Sequence, residues 1–137
     1  QRADIASVIE ARIAIESEAA ALAARRRSAP ALRAIRRAFA DRESSRSSIE
    51  ELVDADMRFH RAIVAAAENP VLLELFDTFV ARLRQAMIDM LRIGRSLDDD
   101  ADRAAHSELA DAIGDREPEA AARLSRAHLD ALRASLG

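Results

Sequence analysis

Residues 49–67, Ile-Glu-Glu-Leu-Val-Asp-Ala-Asp-Met-Arg-Phe-His-Arg-Ala-Ile-Val-Ala-Ala-Ala, contain the pattern that decides the fold. Apolar residues recur every three or four positions, which is typical of an α-helix with one buried face. Two polar residues, Asp56 and His60, fall inside that apolar face. They are four positions apart, so their side chains lie on the same side of the helix. The segment therefore predicts a helix that carries a carboxylate and an imidazole into the core.

The rest of the 137-residue chain also predicts helices. The chain has only three Gly and three Pro, and half of its residues are apolar, with many Ala. Such a composition favours helix, and no segment alternates as a β-strand does. The Pro residues stand where a helix begins. We predict an all-α fold with helices at about 4–27, 30–42, 47–67, 70–93, 99–113 and 118–136, in one domain spanning residues 1–137.

Composition and charge exclude several classes of protein. The formal net charge is −3 and the positive charges are dispersed, which is not typical of a nucleic-acid-binding face. The chain has no Cys, so it has no disulfide and no thiolate metal site. No apolar run approaches the roughly 20 residues of a membrane span, and no signal peptide is visible. We expect a soluble cytoplasmic domain that does not contact a membrane.

All three histidines of the chain are predicted to face the core. His106 lies in the apolar arc of the fifth helix, as His60 does in the third. His128 lies in the arc of the sixth helix, which is formed by Leu124, Ala127, Ala131 and Leu132. One buried imidazole is ordinary, because a backbone carbonyl can satisfy it. Three imidazoles together with Asp56 form a nitrogen and oxygen set that suits zinc, nickel, cobalt, manganese or iron. The pattern alone leaves open a hydrogen-bonded cluster without metal.

Charged residues also fall inside or beside two other apolar arcs. Arg12 and Glu16 lie near the middle of the arc of the first helix, four positions apart. They either pair with each other, or Arg12 faces a cavity and binds a ligand carboxylate through two nitrogens. Arg82 lies at the edge of the arc of the fourth helix, where it either reaches solvent or faces the same cavity. That arc is formed by Val71, Leu75, Phe79 and Leu83.

Several segments, in this order and spacing, resemble the FCD domain, the C-terminal effector domain of the FadR subgroup of GntR-type transcription regulators. The sequence Asp-Met-Arg-Phe-His at 56–60 looks like the D-x-x-F-H motif of that family, and Asn69-Pro70 looks like its N-P turn. His-Ser-Glu-Leu-Ala-Asp-Ala-Ile at 106–113 resembles its H-x-x-(L/I)-x-x-A-I segment. Residues 8–16 and 121–129 are also similar, so the resemblance covers nearly the whole chain.

The resemblance implies an antiparallel bundle of six or seven helices that holds one divalent metal ion, with zinc the first expectation. Metal-binding members use one Asp and three His, which correspond here to Asp56, His60, His106 and His128. The ion in turn binds the carboxylate of a small organic acid effector. Arg12, Asn69 and Arg82 are the residues expected to line the effector pocket.

The resemblance also implies partners outside these 137 residues. FadR-type regulators are expected to form homodimers and to bind DNA through an N-terminal winged helix-turn-helix domain. No segment of residues 1–137 corresponds to that domain. We therefore expect these residues not to bind DNA themselves, and DNA to be bound only by the winged helix-turn-helix domain. Effector binding would then change the DNA affinity of the dimer.

Two other classes of function are compatible with a helical domain that has three buried histidines. The first is a metal-dependent hydrolase, but the chain has no H-E-x-x-H, no Glu-x-x-His pair and no His-Asp dipeptide. The second is a metal-free helical dimerisation module in which Asp56 and the histidines bond to one another. We expect a regulator domain and not an enzyme.

Overall fold

The computed structural model describes residues 2–44, 47–94 and 100–136, and within these ranges it contains six α-helices and no β-strand. The prediction of an all-α fold is therefore confirmed. The helices are α1 (Arg2–Arg26), α2 (Ala29–Ser44), α3 (Ile49–Ala66), α4 (Pro70–Arg92), α5 (Asp100–Gly114) and α6 (Pro118–Ala134).

The helix ends lie within two residues of the predicted ones wherever the chain is described. Helix α3 begins at Ile49, because the Ser48 hydroxyl accepts a hydrogen bond from the backbone N–H of Glu51 and caps the helix. Helices α4 and α6 begin at Pro70 and Pro118, where a missing N–H is harmless. The predicted start of α5 at position 99 lies outside the described residues.

Helix α1 is the central element of the bundle. It packs against α3, α4, α5 and α6, whereas α2 packs against α3 and α5. The predicted apolar arc of α1 is buried, including Ile5 and Ile9 near its start and Ala20 and Ala23 near its end. Small side chains in the second half of α1 let neighbouring helices approach closely.

The apolar core consists of two clusters with polar residues between them. One cluster includes Ile9 of α1, together with residues of α3, α4 and α6. The other includes Ala20 of α1 and Phe59 of α3, together with residues of α2, α5 and α6. Arg12 and Glu16 lie between Ile9 and Ala20 along α1, and both are buried. The polar residues predicted to point inward therefore occupy the middle of the bundle.

The predicted buried arc of α4 is wrong at its beginning. Val71 and Leu75 are 64% and 48% exposed, and the buried face runs instead through Phe76, Leu83 and Met87. Helix α4 packs against only α1 and α3, so one side of it has no neighbouring helix within the described residues. Apolar residues occur on both sides of α4, and periodicity alone does not choose between them.

Helix α6 also departs from its predicted arc. His128 is buried as expected, but Ala127 and Ala131 beside it are exposed. The buried face is centred on Ser125 and Leu129. His128 therefore lies at the edge of the core and not in its middle.

None of the described helices is both long enough and apolar enough to cross a membrane.

The buried face of α4 is tested by shortening one leucine on each side of the helix. Leu83→Ala should lower the free energy of unfolding by about 2–5 kcal/mol, because it leaves a cavity in the core. Leu75→Ala is the matched control and should change it by only about 0.5 kcal/mol. Urea unfolding followed by far-UV circular dichroism measures both. Equal losses at the two positions would contradict the assignment of the buried face.

Candidate metal centre

Three helices bring the three histidines of the chain to one point. His60 comes from α3, His106 from α5 and His128 from α6, and their exposures are 3%, 1% and 8%. One ring nitrogen of each lies within 4.8 Å of those of the other two. The prediction that all three histidines point inward is thus confirmed by the geometry.

His60 is held in one orientation by a carboxylate. Its Nδ1 lies 2.8 Å from Oε1 of Glu16, and Glu16 accepts hydrogen bonds from Arg12 at 2.6 and 3.2 Å. Because an ionised carboxylate only accepts, Nδ1 of His60 carries a proton. Its Nε2 is buried and has no hydrogen-bond partner among the described residues.

Glu16 stays ionised in this buried position. Burial alone would raise the pKa of Glu16, but the charges of Arg12 and His60 and the hydrogen bonds from both outweigh it and hold the pKa at about 2. Glu16 is therefore a carboxylate that can accept the Nδ1 proton of His60.

His106 is oriented by its own helix. Its Nδ1 lies 2.7 Å from the backbone carbonyl oxygen of Asp102, one turn earlier. A carbonyl oxygen only accepts, so Nδ1 is the protonated nitrogen. The other nitrogen, Nε2, lies 3.0 Å from Oδ1 of Asp56. In a neutral ring, Nε2 carries a lone pair that faces a carboxylate oxygen, and the two repel each other. A cation between them, or a second proton on the ring, would remove this repulsion.

His128 has the weakest anchor of the three. Its Nδ1 is 3.8 Å from Oδ1 of Asp102, too long for a hydrogen bond, and its Nε2 is buried with no hydrogen-bond partner within residues 2–44, 47–94 and 100–136. Its ring packs against that of His106 with centroids 4.4 Å apart. Burial, and then the charges of His106 and His60, lower the pKa of His128 well below its ordinary value. His128 is therefore a neutral imidazole, the form that binds metals.

Asp56 connects the histidines to a buried arginine. Its Oδ1 accepts a hydrogen bond of 2.7 Å from Nε of Arg42 and lies 3.5 Å from Nε2 of His60. Burial would raise the pKa of Asp56, but His60 and His106 lower it well below its usual range. Arg42 also donates a hydrogen bond to the carboxylate of Asp102.

Sequence reasoning missed Arg42. This residue is almost fully buried, yet it is charged and lies near the end of α2. A signal for it was present, since Arg42 follows Ile35 by seven positions and so lies on the same face of the helix. Ile35 is the one apolar residue of α2 that is fully buried.

The residues fit a transition-metal ion. One ring nitrogen of each histidine lies near those of the other two, and the Nε2 atoms of His60 and His128 are buried with no hydrogen-bond partner among the described residues. A ring proton on Nδ1 fixes the orientation of His60 and of His106. Such outer hydrogen bonds are typical of metal-binding histidines. Ligands bound tetrahedrally at about 2.1 Å lie about 3.4 Å apart, so a separation of up to 4.8 Å between the ring nitrogens has to close by up to about 1.4 Å. That is within the movement of a side chain.

The charges around the histidines also favour a cation. Burial would lower the pKa of His60, but the carboxylates of Glu16 and Asp56 raise it above its ordinary value. The site thus stabilises a positive charge on or beside His60. A metal ion supplies that charge without a proton.

None of the other predicted site residues forms a hydrogen bond or ion pair with a histidine within the described residues. Arg12 is buried and bonds to Glu16, which is the pairing alternative of the sequence analysis, and its charge acts on His60 and His128. The side chain of Asn69 caps α4 by accepting from the N–H groups of Val71 and Leu72. Arg82 is exposed and lines a hollow beside Asp4 of α1. The role of these three residues toward an effector stays a prediction.

The chain matches a known protein family over most of its length. The family model of the FCD domain matches residues 7–131. The match includes α2–α5, most of α1 and α6, and all three histidines. No curated protein matches the chain.

The Arg12–Glu16 pair is tested by removing one partner and then both. In chelator-treated protein, Arg12→Met should lower the free energy of unfolding by about 3–5 kcal/mol, because it leaves the charge of Glu16 buried and unpaired. The double variant Arg12→Met/Glu16→Leu should recover most of that loss. Urea unfolding provides the measurement.

The control for that experiment is Arg61→Met. Arg61 pairs with Asp77 on the surface, where the two side chains are 50% and 42% exposed, so the expected change is at most about 1 kcal/mol. An Arg12→Met variant as stable as Arg61→Met would mean that Arg12 is not needed to balance Glu16.

Proposed function

Since this chain belongs to the FCD domain family, we propose that it binds one divalent transition-metal ion and, through it, the carboxylate of a small organic acid effector. FCD domains are ligand-sensing regulatory domains of GntR-type regulators and not enzymes. The ligands of the ion are His60, His106 and His128, with Asp56 as the oxygen ligand. The observation that carries this proposal is the pair of buried Nε2 atoms, on His60 and His128, that have no hydrogen-bond partner in the described part of the chain.

Each polar neighbour of the histidines has a role in this proposal. When bound, the ion supplies a positive charge with an open coordination position for a carboxylate oxygen. Glu16 holds the ring of His60, and the backbone carbonyl of Asp102 holds the ring of His106. Asp56 divides its negative charge between the ion and Arg42, which keeps a buried carboxylate from being left unpaired.

The proposal extends to the identity of the ion and to the role of the domain in a dimeric regulator. Zinc is the first expectation for the ion, with nickel, manganese, cobalt and iron as alternatives that the same ligand set accepts. Residues 1–137 form one effector domain of a cytoplasmic homodimer of the FadR subgroup, in which a winged helix-turn-helix domain contacts DNA. The effector acts by binding more tightly to one of two arrangements of the dimer.

The metal centre is tested by elemental analysis of purified, tag-free protein before and after chelation. We expect about one transition-metal ion per chain. His60→Ala, His106→Ala and His128→Ala should each lose most of it, because three nitrogen ligands become two. Circular dichroism of each variant separates loss of the ion from loss of the fold.

Asp56→Ala and Asp115→Ala provide the matched comparison of aspartates. Asp56→Ala should lower metal affinity, whereas Asp115, which is exposed and follows α5, should be replaceable without effect. Metal content equal to that of the unchanged protein in His60→Ala and His128→Ala would contradict the ligand assignment. A chain that takes up no metal, even after incubation with zinc, nickel and manganese, would instead favour the metal-free dimerisation module.

Carboxylate capture is tested with acetate as the probe. Acetate should raise the melting temperature of the metal-loaded protein, because a ligand that binds only the native state stabilises it by mass action. It should leave the melting temperature of the chelated protein unchanged. An equal shift in both forms would mean that the carboxylate binds somewhere other than the ion.

A further inference from the structure

An open groove lies between α5 and α6 and reaches the metal centre. Its volume is about 410 Å³, which is in the range of roughly 300–1,000 Å³ found for small-molecule pockets. Its walls are mainly apolar and are formed by Ala101 and Ala105 of α5 and by Leu124, Ala127 and Ala131 of α6. Ala127 and Ala131 are the two exposed alanines that the predicted arc of α6 had placed in the core.

His128 forms the inner wall of the groove. His128 as a whole is 8% exposed, and its Nε2 is buried with no hydrogen-bond partner among the described residues. A molecule in the groove therefore lies against one of the proposed metal ligands. The groove shares His128 with the proposed metal centre, whereas none of the described residues that line the hollows containing Asn69 and Arg82 is a histidine.

The charge of the groove limits what fits in it. Two of its lining residues, Asp102 and Glu108, are acidic, and no Arg is among the described lining residues. Asp102 contacts Arg42, which balances its charge. Glu108 is exposed and forms no ion pair within the described part of the chain. A ligand group beside Glu108 is thus opposed by a like charge if it is anionic.

Resting on the proposed function, we infer that this groove holds the uncharged tail of a monocarboxylate whose single carboxylate binds the ion beside His128. The alanine and leucine walls contact the tail. An acid with a second carboxylate at its far end is disfavoured, because that group meets Glu108 and finds no cation among the described lining residues. The groove therefore selects among organic acids by the far end of the molecule, and the ion selects by the near end.

Pentanoate and glutarate test this inference, since both have five carbons and differ by a second carboxylate. On metal-loaded protein, calorimetric titration should give pentanoate a higher affinity than acetate by roughly threefold for each methylene that the groove buries. Glutarate should bind at least about tenfold more weakly than pentanoate, a difference of about 1.4 kcal/mol. Metal content is measured on the same samples.

Glu108 and Ala131, which are both exposed and line the groove, supply the variants. Glu108→Arg should raise the affinity for glutarate by about tenfold and leave that for pentanoate within about twofold, as expected when a repulsive contact becomes attractive. Glu119→Arg makes the same change of charge at a side chain that is 88% exposed and outside the groove. It should change neither affinity by more than about twofold.

Ala131→Phe tests where the tail lies. A ring at this position fills the groove, so pentanoate should bind no better than acetate, while the metal content stays at one ion per chain. Ala104→Phe, on the exposed side of α5 and not lining the groove, should leave the affinity for pentanoate unchanged.

The outcomes separate this inference from the proposed function. A chain that takes up no metal overturns both. A metal-loaded chain that binds glutarate as tightly as pentanoate, or that binds pentanoate normally after Ala131→Phe, overturns the inference and leaves the metal centre standing.

Discussion

The structure depends on how four charged side chains are accommodated in the middle of a helical bundle. Arg12, Glu16, Arg42 and Asp56 are all at most 3% exposed. A buried charge is tolerated only when it is paired and hydrogen-bonded. Arg12 pairs with Glu16, and Arg42 pairs with Asp56. Glu16 then extends to His60, and Asp56 extends to His106 and His60, so the ion pairs help to set the positions of these imidazoles.

This arrangement explains why the three histidines converge although they come from different helices. Glu16 of the central helix α1 fixes the ring of His60 on α3, and Asp56 of α3 contacts the ring of His106 on α5. His128 completes the group from α6, at the edge of the core. With Arg42 of α2, which pairs with Asp56, five of the six helices that the structure describes contribute to one polar centre. In the proposed function, a change in the ion or in its ligand would therefore alter the contacts of all these helices, which is what a sensory domain requires.

The departure of α6 from its predicted arc is what opens the centre to the outside. With Ala127 and Ala131 exposed, the side of α6 next to His128 forms a groove instead of a packed contact. Small residues line a groove without filling it, whereas leucines at the same positions would close it. The accessible edge of the centre is therefore formed by the histidine with the weakest anchor, and the better-anchored His60 and His106 lie deeper.

The sequence by itself determined the helical class, the six helices within two residues at the described ends, and the inward direction of Asp56, His60, His106 and His128. These features follow from the helical period and from local capping, which depend on nearby residues only. Only the tertiary structure decided that Arg12 pairs with Glu16, that Arg42 reaches Asp56, and that Ala127 and Ala131 stay exposed. The Arg12–Glu16 pair lies within one helix, and the sequence offered it as one of two alternatives, but the choice depends on whether a neighbouring helix leaves a cavity beside Arg12. The other features join residues from different helices or depend on which side of a helix meets a neighbour. One helix does not decide them, because a period marks a face but not the partner that covers it.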